Sequence, residues 1–499
     1  MNLELFLPEL SLAATAILVI LLDLFLPRKG LLAVVSLLGI VVSGVFSLSL
    51  WGISLPFFDA TGAMWGSSQT IFNNMLAVDN FAVFFKLLFL GIAALVILAS
   101  TDYMGKLSRF QGEYYALVLL SALGMMLMAA TTELISIYIA LELTSISLYA
   151  LVGFLKDTKS TEASLKYLLL GAIASAVLLY GMALIFGLTG ETQLGEIARA
   201  IQVMAPSTIL ANPALMLGIV LLIAGFGFKI AAIPFHMWVP DVYEGAPTPI
   251  TAYLSVGSKA AGFAIILRVF YSAFGLPDGL SQSWGLIFAV LAAIGMTLGN
   301  VTALPQTNIK RMLGYSSIAQ AGYLMVGLAA MGVAPAAGIL GRSGVLFFLV
   351  AYAVANLGAF TAIIAISNKI NSDLIADYSG MSKRAPMLSL ALTLCLISLI
   401  GMPPAAGFMA KFYIFRGAVH NGLLWLVIIA VLNSVISAYY YLRVAKVMWF
   451  GEPASTEKVS SSGALQIALF LASLGVLLLG IIPGFMMKLA EAAARMLRL

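Results

Sequence analysis

About fourteen apolar runs, each near 20 residues long, follow one another along this 499-residue chain. A run of that length spans the hydrocarbon core of a bilayer as a helix. Inside that core only helices and closed barrels satisfy their own backbone. The chain is 62% hydrophobic and only 9% charged, whereas a soluble domain is about 45–50% apolar. The expected fold is an all-α polytopic membrane protein with about 14 transmembrane helices. The runs fall at roughly 5–26, 31–51, 78–100, 114–131, 133–155, 162–188, 213–238, 249–274, 283–303, 315–333, 343–367, 386–418, 421–446 and 464–489. The opening MNLELFLPEL has no basic stretch and sets Glu4 and Glu9 ahead of the first run, which predicts a retained helix rather than a cleaved leader.

Two runs carry helix breakers. The segment 386–418 holds GMPP at 401–404, and 213–238 holds Gly225, Gly227 and Pro234, so helices 7 and 12 are expected to be broken. These breaks occupy matching places in two five-helix units, 114–274 (helices 4–8) and 283–446 (helices 9–13). Five is odd, so adjacent units must lie with opposite topology. Inverted repeats with broken helices in corresponding positions are a transporter pattern. Residues 1–113 supply helices 1–3, and 464–499 supply helix 14. The odd-numbered connections hold about fourteen lysines and arginines, against about six in the even ones and the C-terminal tail. The odd side is therefore expected in the cytoplasm and both termini outside. The net charge of +5 is read as part of that asymmetry, with no nucleic-acid partner.

Charges inside such runs are costly. Glu142, Lys166, Lys229, Lys259 and Lys411 all lie within apolar segments. Unpaired, five such groups would cost on the order of 12–18 kcal/mol. Intramembrane ionisable groups of this kind mark ion or proton paths. Burial disfavours the charged form of a lysine, which lets it take up and release a proton; the alternative is a structural ion pair. Glu142 is expected beside an ammonium that keeps it ionised. Lys166 has two further readings, snorkelling outward or pairing with Glu162 at i,i+4. His236, seven residues after Lys229, is either a link toward the cytoplasmic side or a hydrogen-bonded histidine at a helix break. Lys86 and Arg268 are expected to snorkel from near helix ends, and Asp23 to sit at the interface near Arg28 and Lys29.

The single cysteine, Cys395, cannot hold an iron–sulfur cluster, a structural zinc or an intrachain disulfide. His236 and His420 are placed toward opposite membrane faces and cannot share a haem. No Walker A sequence and no GxGxxG following a strand is present. The chain is expected to contain no redox centre, metal site or nucleotide engine, so another subunit or an ion gradient must drive any pumping.

The segment GFKIAAIPFHMWVPDVYEGAPTPITAYLSVGSKAAGF resembles the proton-conducting membrane subunits of respiratory complex I, which are akin to Mrp-type cation/proton antiporter subunits. LELTSISLYALVGF, STEASLKYLLLGAIASAVLLYG, NIKRMLGYSSIAQAGYLMVGL and SKRAPMLSLALTLCLISLIGMPPAAGFMAKFYIF agree in type, across most of residues 78–450. Within that family the chain looks most like the branch called subunit N, or subunit 2. The loop PDVYEGAPTP, Lys259 on helix 8, Lys411 on helix 12 and the absence of a long lateral helix favour that branch.

The resemblance implies a charged axis along the membrane midplane, made here of Glu142, Lys166, Lys229, Lys259 and Lys411. Quinone reduction elsewhere would alter the charge pattern, Glu142 would modulate Lys229, and protons would pass through Lys259 toward Lys411. It implies a subunit of an NADH:quinone oxidoreductase in a bacterial-type inner membrane, beside sister antiporter-like subunits. Flavin, iron–sulfur clusters and quinone would bind partner subunits and none would bind this chain. Two other readings stay open: a subunit of an Mrp-type antiporter or membrane-bound hydrogenase-like complex, and an assembly subunit whose buried charges only hold helices together.

Overall fold

The computed structural model describes residues 3–26, 29–51, 68–106, 110–204, 209–334, 339–453, 455 and 457–497. Arg28, Arg109 and Arg498, which count toward the charge asymmetry, lie outside these. Among the described residues, thirteen helices are long and apolar enough to cross a membrane. They are α1 (Leu3–Phe25), α2 (Gly30–Leu50), α3 (Asn80–Ser100), α4 (Gln111–Ala130), α5 (Leu134–Val152), α6 (Thr158–Thr189), α7a (Pro213–Ile230), α8 (Thr248–Ser272), α9 (Asp278–Ala303), α10 (Ile309–Val333), α11 (Ile339–Ile370), α13 (Leu424–Phe450) and α14 (Gly463–Ile481). The remaining predicted span is two 15-residue halves, α12a (Pro386–Ile400) and α12b (Ala406–His420). Helix 12 is therefore broken at GMPP, as its prolines require.

Several boundaries differ from those expected. The seventh helix runs through Gly225 and Gly227 and stops at Ile230, where Ala231 takes a left-handed conformation (φ 61°). Residues 231–238 are irregular around Pro234, and a seven-residue helix, α7b (Val239–Gly245), follows outside the spans. Helix 14 stops at Ile481, and Gly484–Ala494 forms a separate helix after Pro483. Helices 6 and 11 run to 32 residues each. A short hairpin, β1 (Gln69–Ile71) paired antiparallel with β2 (Leu76–Val78), precedes α3.

Helix α8 is buried along almost its whole length, and α10 and α11 nearly as much. The three form the centre of the bundle. Helices α1, α2, α6, α13 and α14 bury only a minority of theirs and turn residues such as Ile17, Leu38, Ile173, Val435 and Phe470 outward. Large apolar side chains on that rim suit a lipid or partner-helix environment. Close approach at the centre rests on small residues. A Cβ on Gly299 would lie 2.7 Å from Ala319 N, and one on Gly322 would lie 2.7 Å from Met296 N, so α9 and α10 meet backbone to backbone.

Candidate functional site

The buried cations singled out in the sequence fall into two groups. Lys86 on α3 pairs with Glu9 on α1 at 2.7 Å, both side chains 1% exposed. Arg268 on α8 makes a two-pronged pair with Asp79, both contacts 3.0 Å. It also donates to Ala129 O at 2.9 Å and lies over the Phe81 ring. Asp79 in turn caps α3 by accepting from Ala82 N. These findings overturn the snorkelling expected of Lys86 and Arg268. They also move Glu9 from ahead of the first helix into its buried face. Asp23 pairs with Lys29 at 2.8 Å.

Lys229, Lys259 and Lys411 behave differently. They are 3%, 2% and 5% exposed, yet among the described residues none has a carboxylate within ion-pair distance. Each ammonium is held instead by a serine. Lys229, in the last turn of α7a, donates to Ser145 Oγ on α5 at 2.9 Å. Lys259 follows a π-turn (Leu254–Ser258) in α8 and donates to both Oγ and O of Ser317 on α10. Lys411, on α12b, donates to Ser434 Oγ on α13 at 2.9 Å and to Ile400 O at 2.7 Å. Its Nζ also lies 4.1 Å from the centre of the Tyr323 ring, a favourable site for a cation.

Packing joins these three sites in order. A Cβ on Gly262, one turn beyond Lys259, would lie 3.4 Å from Lys229 Cγ, so the stem of Lys229 crosses the face of α8 that carries Lys259. Ser317 Oγ also meets Tyr352 Oη at 3.0 Å and Tyr243 Oη at 3.1 Å. Its neighbour Ser316 bonds Tyr441 on α13. Further along α10, Tyr323 Oη accepts from Ser434 Oγ at 3.3 Å, and on α9 Asn300 accepts from Tyr440 at 2.9 Å. Helix α10 thus carries a polar stripe, Ser316, Ser317, Gln320 and Tyr323, from the Lys259 site to the Lys411 site.

Glu142 lies on α5, half-buried, and accepts from Ser175 on α6. Among the described residues no ammonium pairs with it directly. Lys229 reaches Ser145 instead, three residues along the same helix. The ammonium expected near Glu142 thus makes no ion pair with it, and donates to Ser145 on the same helix. Glu142 stands near the outer face, between exposed Ile139 and Ile146.

Lys166 is not a buried member of the row. Its side chain is 42% exposed and pairs with Glu162 and Asp241 at 2.8 Å each. The i,i+4 pair read from sequence is present. Arg311 adds contacts to Asp241 at 2.7 Å and Glu244 at 3.2 Å, so α6, α7b and α10 share an ionic cluster around an open cavity of about 250 Å³. Burial raises the Asp241 carboxyl, but hydrogen bonds from Lys166 and Arg311 outweigh it and hold it below the usual carboxylate range. His236 lies in the irregular stretch after α7a, half-buried, its Nδ1 without a hydrogen-bond partner among the described residues. No hydrogen bond there joins it to Lys229.

Sequence reasoning missed the serines, Gln320 and Tyr323. The signal was present in SSIAQAGY, where polar groups recur at helical spacing within an apolar run, each costly unless bonded.

Residues 129–437 match the family described as NADH:quinone oxidoreductase/Mrp antiporter, TM. The chain is 52% identical to a Dehalococcoides mccartyi protein named NADH-quinone oxidoreductase subunit N, over 99% of each chain. Among solved structures it superposes on a chain of respiratory complex I from Thermus thermophilus with bound aureothin (TM-score 0.79, 33% identity, 97% of this chain and 99% of that one). It shares its fold with a chain of the Mrp complex from Dietzia sp. (TM-score 0.85, 19% identity, 100% and 98%).

Proposed function

The chain belongs to the NADH:quinone oxidoreductase/Mrp antiporter membrane family, and on that premise we propose that it is the subunit N type of proton-translocating membrane subunit in an NADH-quinone oxidoreductase. The observation that carries the mechanism is the set of three buried ammonium groups without a paired carboxylate among the described residues. A buried ion pair is held by its partner, and breaking it is strongly unfavourable. A buried lysine held only by hydroxyl and carbonyl oxygens is free to lose its proton, because desolvation already disfavours its charge. Lys86–Glu9 and Arg268–Asp79 have the geometry of structural pairs; Lys229, Lys259 and Lys411 have the geometry of carriers.

In this reading Glu142, near the outer face, senses a neighbouring membrane subunit and biases Lys229 across space. Protons then pass from Lys229 by way of Lys259 to Lys411. Lys166 acts at the ionic mouth rather than in the row, and His236 lies off it. Flavin, iron–sulfur clusters and quinone reside in partner subunits, and sister antiporter-like subunits flank the chain. The two five-helix units are related by an in-plane pseudo-two-fold axis, the odd connections face the cytoplasm of a bacterial-type inner membrane, and both termini lie outside. The lysine asymmetry of the connections supports that orientation.

The test is proton movement by the assembled complex in sealed vesicles, read with a pH-sensitive dye. Lys229→Ala should leave assembly and its level in the membrane largely intact while proton movement coupled to NADH-driven quinone reduction collapses. Sodium-gradient-driven proton exchange without quinone reduction would favour the antiporter reading. Loss of assembly in every charge variant would leave only a structural role.

A further inference from the structure

The two helix breaks are closed in different ways. At the first, Phe228 O accepts from the Trp238 indole at 3.2 Å, a residue of the same connection. At the second, the last four carbonyls of α12a can be accounted for one by one. Ile397 O accepts from Gly401 N and Met402 N, and Ser398 O also accepts from Gly401 N. Leu399 O accepts from Gln320 Nε2 at 2.9 Å, and Ile400 O accepts from Lys411 Nζ. One freed carbonyl is therefore held by an amide of another helix, α10, and the next by the ammonium of the proposed carrier. Gly401, at φ 89°, lets this fit: a Cβ there would lie 2.8 Å from Lys411 Cδ.

We propose that Gln320 is a positioning residue for proton transfer at Lys411, keeping the end of α12a in place when Lys411 loses its proton and loosens its hold on Ile400 O. This rests on the proton-translocating reading above. A charge-assisted hydrogen bond is roughly twice as strong as a neutral one, so the contact from Lys411 to Ile400 O weakens each time the lysine is deprotonated. The contact from Gln320 to Leu399 O does not change, because an amide does not titrate. The break thus keeps one fixed anchor beside one that varies with the proton. Tyr323, one turn along α10 from Gln320, lies beneath the same ammonium, so a single helix sets both the carbonyl and the ring that Lys411 meets. The titratable groups around this site are Lys411 on α12b, Tyr323 on α10, and Tyr440 and Tyr441 on α13. Among the described residues no carboxylate hydrogen-bonds to Gln320 or Lys411.

The test compares Gln320→Met, similar in length but without a donor, with Gln320→Glu, which donates to Leu399 O only when protonated. Protons moved per electron pair are measured in sealed vesicles carrying the assembled complex, beside wild type and Lys411→Ala. The expected result is a fall of about threefold or more in Gln320→Met at every pH, because a buried carbonyl loses its donor. Gln320→Glu should move protons close to the wild-type ratio at about pH 6 and fall toward the Met variant at about pH 9, as a buried carboxyl ionises. If Gln320→Met keeps the wild-type ratio, or Gln320→Glu tracks wild type at both pH values, the proposal is overturned. Failure of both variants to assemble also overturns it, by reducing Gln320 to a structural residue. If Lys411→Ala pumps normally, the proton-carrying role of Lys411 has failed instead. If Lys411→Ala is impaired while both Gln320 variants match wild type, only the positioning role falls.

Discussion

Lys229 donates to Ser145 Oγ at 2.9 Å, and Ser145 stands one turn from Glu142 on α5. Ser145 gives its own proton to Leu141 O, so in the proposed mechanism the carboxylate acts on the lysine across space rather than by contact. Such an arrangement tunes the proton affinity of Lys229 without locking its charge in a pair.

Replacing Ser145 with Ala should weaken the coupling between quinone reduction and proton movement while leaving the complex assembled, and Ser145→Thr should restore it by keeping the hydroxyl. Glu142→Gln should impair coupling more than Glu142→Asp, since Asp keeps the charge. Dye-detected acidification of sealed vesicles reads both. Wild-type coupling in Glu142→Gln would remove Glu142 from the mechanism.

Lys229→Arg should impair pumping almost as severely as Lys229→Ala. A guanidinium hardly deprotonates at physiological pH, so the charge would remain while the exchangeable proton is lost. An Arg variant that pumps at the wild-type rate would mean that only a positive charge is required there.

Ser317→Ala should slow proton movement by about tenfold, since Lys259 loses a hydroxyl partner in a buried site. Ser317→Thr should restore most of it. The comparison is made at equal amounts of assembled complex. Unchanged pumping in the Ala variant would show that Ser317 O alone suffices to hold Lys259.

Lys86→Met should destabilise the chain by about 3–5 kcal/mol, because Glu9 is left buried and uncompensated. Adding Glu9→Gln to Lys86→Met should recover much of the loss, and thermal unfolding of the purified complex in detergent reads both. Proton coupling of whatever assembles should match wild type, which separates this pair from the three proposed carriers. Loss of coupling without loss of stability would reverse that assignment.

Gly401→Ala should reduce proton movement, because the new methyl meets Lys411 Cδ and a left-handed residue other than glycine costs about 1–2 kcal/mol. Gly44→Ala, where nothing lies within 4 Å of the added carbon, serves as the control and should be silent.

The sequence by itself determined the spans and the residues worth suspecting. A bilayer leaves an apolar run no option but to form a helix, so helix number followed from run length, and GMPP marked one break because proline removes a donor and clashes with the preceding turn. Lys229, Lys259 and Lys411 stood out for the same reason, since a charge in such a run is costly wherever it points. Tertiary structure alone decided which of the buried charges are paired. Lys86 meets Glu9 from a different helix, and Arg268 meets Asp79 from 189 residues away. Lys229 meets a serine 84 residues away and, among the described residues, pairs with no acid. Those outcomes depend on how each helix is turned about its axis and which neighbour faces it. That is set by small-residue contacts such as Gly262 against Lys229 and Gly401 against Lys411, and no local pattern encodes them. The end of α7a at Ile230 was hidden for a similar reason. Two of its freed carbonyls, Gly227 O and Phe228 O, accept from the left-handed Ala231, and Phe228 O also accepts from the Trp238 indole, partners that exist only once the connection has folded back.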